Sequence, residues 1–246
     1  MGEHRIPYVD RSWSPVTGCS FNCPWCWAAK FSKRLAGRAG YPADDPFRPT
    51  FHPDKLSKPL RWRKPQWVAT CFMGDLFDPI VPAEWIGAVF EVARSSIRHT
   101  FLFLTKQPQR MAQEIGYWFT CSPYSVPVNM WLGVSITNQA DADARLPQLA
   151  KLAAAGWNTW LSVEPLLGWV DLRLDAVGWV VVGSQSGGQG AFGRHDLAPI
   201  RSIVTQCQEG HVRVYVKQVL LHGRLSKIPA EWPEELRIQE FPNQAR

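Results

Sequence analysis

The chain has 246 residues, of which 46 % are hydrophobic and 20 % charged; it can bury a full core and is neither a disordered tail nor a small disulfide scaffold. No apolar run reaches the roughly 18 residues of a membrane span, and the opening MGEHRIPYVD has no apolar signal region, so a soluble cytoplasmic protein with no membrane partner is expected. The net charge of +6 is lopsided, with 12 Lys/Arg against 5 Asp/Glu in residues 1–64 and 15 against 16 in the rest, so the N-terminal lobe alone is suited to an anionic cofactor or a phosphate backbone.

A first strand around Ser12–Thr17 leads into the segment Gly18-Cys19-Ser20-Phe21-Asn22-Cys23-Pro24-Trp25-Cys26-Trp27. Three of the six cysteines crowd into it with the spacing C-x3-C-x2-C, which reads as a metal or cofactor site rather than a disulfide framework. Three thiolates can hold three irons of a cubane cluster and leave the fourth open to a small molecule. A structural zinc site usually takes four protein ligands, and no later CxxC or closely spaced His pair supplies the fourth; His211 and His222 stand 11 apart. Zinc remains the alternative. Cys71 lies in an apolar run and Cys207 in a helical stretch, where cysteine serves as a small hydrophobe; Cys121 is likewise remote from the cluster.

From Arg34 to Lys64 prolines 42, 46, 49, 53 and 59 interrupt every pattern, which predicts a long basic excursion without helices or strands of normal length, carrying Phe47, Phe51, His52 and Trp62. Beyond residue 66 one theme repeats. Trp67–Phe72 reads as a strand ending in Met73-Gly74-Asp75, and Pro82 opens a helix to Arg94 with Ile86, Val89, Phe90 and Ala93 in an apolar stripe. Thr100–Thr105 is a strand followed by Lys106 and a short helix to Ile115. Val128–Ser135 is a strand, and its helix starts among Asp141 and Asp143 and ends at Gly156. Thr159–Val163 ends in Glu164-Pro165, and Trp179–Val182 in a glycine turn, Gly183 to Gly188. A helix over Leu197–Cys207 precedes a strand Val212–Val216 that ends in Lys217.

Several strands are continuously apolar, as strands covered on both faces are, and their alternation with helices predicts a parallel sheet. The expected fold is α/β: one domain over 1–246 formed as a partial TIM-type (β/α) barrel of about six or seven parallel strands, with the excursion at about 34–64 and a C-terminal extension at about 224–246. Asp75, Lys106, Ser135, Glu164, Gly183 and Lys217 then all fall at C-terminal strand ends, where a barrel gathers residues around one ligand.

Each of these has two readings. Asp75 pairs with an ammonium group or caps its own turn. Ser135 and Asn138 suit ribose hydroxyls or cap a helix. The turn containing Gly183 and Gly187 cradles a nucleotide through backbone groups or is an ordinary loop. Lys106, Glu164 and Lys217, costly to desolvate unless paired, are candidate catalytic groups or members of a bracing ion pair.

The aromatic-preceded cluster Cys19, Cys23, Trp25, Cys26 resembles the hallmark CxxxCxxC of the radical S-adenosylmethionine superfamily. Trp13–Cys19, Met73–Phe77, Leu104–Lys106, Trp131–Ser135, Ser162–Leu167 and Val181–Gly187 extend the resemblance over most of the chain to a phage- and plasmid-associated family of uncharacterised radical-SAM-like proteins. That family often has longer spacing between its first cysteines, and a tyrosine where Trp27 stands here. The resemblance implies an enzyme in which Cys19, Cys23 and Cys26 hold a 4Fe-4S cluster. It also implies that S-adenosyl-L-methionine, near Asp75, Ser135, Asn138, Gly183 and Gly187, is cleaved reductively to a 5'-deoxyadenosyl radical. An external one-electron reductant such as flavodoxin or ferredoxin is implied as well. The substrate is unidentified, with nucleic acid a candidate through the basic lobe and its aromatics. Two other readings stay open: a nucleic-acid-binding protein with a structural zinc or iron-sulfur site, and a non-catalytic cluster-binding partner protein.

Overall fold

The structure, a computed structural model, describes residues 6–120, 125–185 and 196–242. It is a mixed α/β fold with a mostly parallel eight-stranded sheet. Among the described residues no pairing closes that sheet into a barrel, so the α/β class and parallel pairing expected from the apolar runs are present without closure. The chain divides into two compact units, Met1–Leu132 and Gly133–Arg246.

In the first unit, strand β1 is Arg11–Trp13 and β2 is Val16–Thr17. The single N-terminal strand expected over 12–17 is therefore two. Pro15 lacks the N–H a continuous ladder needs, and β2 leaves to pair antiparallel with β3 (Thr50–Phe51). Helix α1 (Trp27–Ser32) follows the cysteines, and the excursion holds only β3, the single-turn α2 (Pro53–Leu56) and isolated 3-10 turns, as its prolines dictate. β4 (Trp67–Thr70) runs parallel between β1 and β5 (Thr100–Thr105).

Helix α3 (Ala83–Ser95) lies between β4 and β5 in sequence and buries Ile86, Val89, Phe90 and Ala93, the expected stripe. Helix α4 spans Pro108–Thr120, one turn longer than expected, and β6 spans Met130–Ser135. The core is aromatic. Phe90 and Phe103 stack at 4.9 Å, and Trp13 meets Phe101 edge-on at 5.5 Å. Each such side chain contributes about 1.5–3 kcal/mol on burial.

In the second unit, α5 (Gln139–Ala154) buries Leu146, Leu149 and Leu152 on one face. Strand β7 (Asn158–Val163) pairs parallel with β8 (Trp179–Gly183), and β8 with β9 (Arg213–Leu221). Helix α6 is Ala198–Glu209. β9 continues five residues past the expected end at Val216 and turns through His222 and Gly223, both with positive φ, into antiparallel β10 (Arg224–Ser226). Both central turn residues in that conformation make a two-residue hairpin, whose twist keeps β9 regular to Leu221. Lys217 is thus inside a strand, not at its end. The segment after 226 packs back, with Trp232 1 % exposed and its indole N–H donating to Ser226 Oγ at 3.0 Å.

Candidate functional site

The cysteine loop starts from a backbone crossing that only glycines allow. Gly18, at φ +89°, and Gly74 form a parallel bridge between the loop and the turn after β4. A Cβ on Gly74 would stand 2.1 Å from the Gly18 carbonyl oxygen, and one on Gly18 2.2 Å from that of Arg48, so both positions must lack one. Three backbone hydrogen bonds close the crossing: Gly18 N–H to Met73 at 3.0 Å, Asp75 N–H to Gly18 at 3.2 Å, and Cys19 N–H to Phe47 at 2.9 Å. The basic excursion is therefore part of the cysteine loop's frame.

Two buried carboxylates complete the frame. Asp75, 5 % exposed, accepts from Thr105 Oγ1 at 2.7 Å and Phe77 N–H at 3.0 Å on Oδ1, and from Lys106 N–H at 2.9 Å on Oδ2. Burial raises its pKa while those donors pull it down. Asp78, fully buried, accepts the backbone N–H of Ser20 at 2.6 Å and its hydroxyl at 2.7 Å on Oδ2, and the Ile80 N–H at 3.0 Å on Oδ1. Arg110 donates to the carbonyls of Asp78 and Val81, bracing the same turn.

The three cysteines of the loop are partly exposed, whereas Cys71 and Cys207 are buried as expected of small hydrophobes. Two of the loop's sulfurs already accept backbone N–H groups. Phe21 donates to Cys19 Sγ, and Ala29 to Cys26 Sγ, each at 3.4 Å, the latter making Cys26 the N-cap of α1. Burial pushes the Cys19 thiol up to about 12; the Phe21 N–H pulls it down, and the charges of Asp75 and Asp78 raise it further. Burial likewise takes Cys71 and Cys207 up to about 12.

Among the described residues no three His, Cys, Asp or Glu side chains converge as a metal-holding group. The chemistry of the donor set nevertheless fits an iron-sulfur cluster: three partly exposed thiols on one glycine-framed loop, two with N–H donors already aimed at sulfur. A bound cation would also reverse the balance that keeps Cys19 protonated.

In the second unit Lys217 Nζ lies 2.8 Å from Glu164 Oε1, with the two side chains 20 % and 11 % exposed. The contact is an ion pair off the hydrogen-bonding direction, so among the described residues buried Oε1 has a charge beside it and no hydrogen bond. Oε2 accepts from Ser162 Oγ at 3.3 Å. Gly183 sits against the same carboxylate: a Cβ there would stand 2.9 Å from Glu164 Oε1. A register shift between Val182 and Gly183 sets Val182 opposite Val216 and Gly183 opposite Gln218, which leaves Lys217 as the extra residue of β9. The mid-strand lysine thus comes level with the end of β8.

Ser135, at the end of β6, is buried, and its carbonyl accepts from Arg145. Asn138 is the N-cap of α5, its Oδ1 accepting the Asp141 N–H at 3.0 Å. Asp75 and Lys106 meet through backbone in the first unit, and Glu164, Gly183 and Lys217 meet in the second. Gly187 and Cys121 lie outside the described residues. Sequence reasoning missed Asp78 and Ser20; a second aspartate inside the apolar run Leu76-Phe77-Asp78-Pro79 was the available signal, since a carboxylate among apolar neighbours needs donors.

A family model described as "Protein of unknown function (DUF5131)" matches residues 3–231. No curated protein and no solved structure matches the chain. The glycine-framed cysteine loop, both buried carboxylates and the Glu164–Lys217 pair all fall within the matched span, and the chain belongs to the DUF5131 family.

Proposed function

We propose that this protein is a radical S-adenosylmethionine enzyme in which Cys19, Cys23 and Cys26 hold a 4Fe-4S cluster. The observation that carries the reading is the contrast among its cysteines. The three at C-x3-C-x2-C spacing are accessible and lie in a rigidly framed loop, while Cys71 and Cys207 are buried. When bound, the cluster would pass one electron from an external reductant such as flavodoxin or ferredoxin to S-adenosylmethionine, giving methionine and a 5'-deoxyadenosyl radical that takes a hydrogen atom from substrate.

The chain's own residues have supporting tasks. Asp78 and Gly74 fix the loop, and the N–H groups of Phe21 and Ala29 stabilise anionic sulfur. Asp75 is the candidate partner for the methionine ammonium; Oδ2 takes one N–H donor of the two or so a carboxylate oxygen can accept. The under-bonded Oε1 of Glu164 beside Lys217 is the best candidate in the second unit for contact with a polar ligand group. Ser135, Asn138 and the turn from Gly183 toward Gly187 remain candidates for the nucleoside.

The test is anaerobic reconstitution with iron and sulfide, followed by dithionite and S-adenosylmethionine. Brown protein that releases 5'-deoxyadenosine only with reductant is expected. Tight zinc with no uptake of iron would sink the reading in favour of a structural site. Cluster binding with S-adenosylmethionine left intact would make the protein a non-catalytic cluster carrier.

A further inference from the structure

Helix α1 is built inside out. Its small residues Ala28 and Ser32 are buried, whereas Trp27 and Phe31 are 50 % and 42 % exposed. Lys30, Lys33 and Arg34 are exposed too. Positions 27, 30 and 31 follow the i, i+3, i+4 spacing that puts residues on one face of a helix, and Arg34 stands in the 3-10 turn Lys33–Leu35 that directly follows α1. The face turned to solvent therefore alternates ring, cation, ring, and the turn adds a further cation. A helix that needed only to cover the core would present those rings inward; a large aromatic pair left in water calls for an occupant. Phe21, within the cysteine loop, adds a third exposed ring at 38 %.

The sequence that carries this face is basic. From Ser12 to Ala43 the chain has no Asp or Glu, and it carries Lys30, Lys33, Arg34 and Arg38. The occupant is thus anionic and offers flat apolar faces. Single-stranded nucleic acid has both: unstacked bases lie on aromatic rings while phosphates meet lysine and arginine. A duplex hides its base faces in the stack, and an acidic protein offers charge without a repeating series of flat rings.

We propose that the Trp27–Lys30–Phe31 face of α1, with Arg34 of the turn that follows it, binds single-stranded nucleic acid. The inference deepens the enzymatic reading by naming a substrate class, yet binding at this face needs neither the cluster nor turnover. The two ideas therefore fail separately.

The experiment is fluorescence anisotropy with a labelled oligothymidylate of about 15 nucleotides and the full-length protein, at about 50 and 200 mM salt. Binding is expected to weaken about tenfold or more between the two, as release of roughly three counterions requires. Trp27→Ala with Phe31→Ala is expected to lose at least about tenfold in affinity, and Trp27→Phe with Phe31→Tyr to keep most of it. Lys30→Glu with Arg34→Glu should weaken binding and flatten its salt dependence. Because the side chains changed are exposed, circular dichroism and iron content after reconstitution should stay at wild-type values. No anisotropy change up to about 100 μM protein at the lower salt would overturn the proposal. So would equal affinity for a duplex of the same length, or displacement of the oligonucleotide by polyglutamate as readily as by unlabelled oligonucleotide. Release of 5'-deoxyadenosine without oligonucleotide binding would leave the enzymatic reading standing and remove this one.

Discussion

Asp78 holds Ser20 twice, accepting both its backbone N–H and its hydroxyl on a single carboxylate oxygen, at 2.6 and 2.7 Å. Ser20 directly follows the first cysteine, so this clamp fixes where Cys19 can point. Asp78→Ala is expected to free the loop by removing the charged acceptor of three hydrogen bonds, lowering stability by about 1–3 kcal/mol and cutting iron bound on reconstitution severalfold. Ser20→Ala keeps the backbone half of the clamp and should cost about 1 kcal/mol with most of the iron retained. Urea denaturation and iron assay measure both; equal iron loss in the two variants would contradict the division between them.

The cysteines offer a cleaner contrast. Cys23→Ala is expected to abolish cluster assembly, because two remaining thiols cannot hold three irons. Cys207→Ala removes a fully buried sulfur on α6, so it should lower the melting temperature by a few degrees while leaving iron content near wild type. Iron and acid-labile sulfide per chain decide the matter, and equal losses would refute the ligand assignment.

For the Glu164–Lys217 pair the expectation is a coupling. Glu164→Gln takes the negative charge from beside a mostly buried ammonium and should cost about 1–3 kcal/mol; Lys217→Met alone takes the positive charge from beside the carboxylate and should cost a similar amount. The double variant should recover part of the sum, giving a coupling of about 1 kcal/mol in a double-mutant cycle. Additive losses would show that the two side chains do not sense each other. If Glu164 serves the ligand, Glu164→Gln should weaken S-adenosylmethionine binding more than the double-mutant cycle accounts for, as read by equilibrium dialysis.

His52 supplies a pH dependence. It is 2 % exposed, with Nε2 2.8 Å from Thr17 Oγ1, and burial, aided by Lys55, lowers its pKa from 6.5 to about 4. A base whose folded-state pKa is depressed lends stability that is complete above the unfolded value and drains away as pH falls toward the folded one. The melting temperature should therefore hold above about pH 6.5 and decline between there and about pH 4. In His52→Gln, which keeps a hydrogen-bonding group without the titration, the decline over that window should be shallower. Parallel wild-type and variant curves would rule His52 out as the source.

Much of this was legible in the sequence because it depends on local pattern. The apolar stripe of α3 and the uninterrupted runs of β4, β5 and β8 needed no knowledge of distant residues. What escaped depends on contacts between remote segments. Asp78 gains its role from Ser20, 58 positions earlier, and no periodicity encodes that pairing. Lys217 was misplaced for a related reason: the His222-Gly223 turn, not the end of the apolar run, sets where β9 stops. Asn138 illustrates the converse, since a polar residue just before a helix has a capping use that position alone makes plain.

The crossing of Gly18 over Gly74 also orders events in time. The cysteines lie early in the chain, but the turn that shapes their loop is made more than 50 residues later, after the whole basic excursion. During synthesis the thiols emerge well before the backbone and carboxylate that hold them. Assembly of the loop must wait for β4 to dock beside β1 and bring Gly74 and Asp78 into place, a long-range closure that sets the earliest moment at which the loop could accept the proposed cluster.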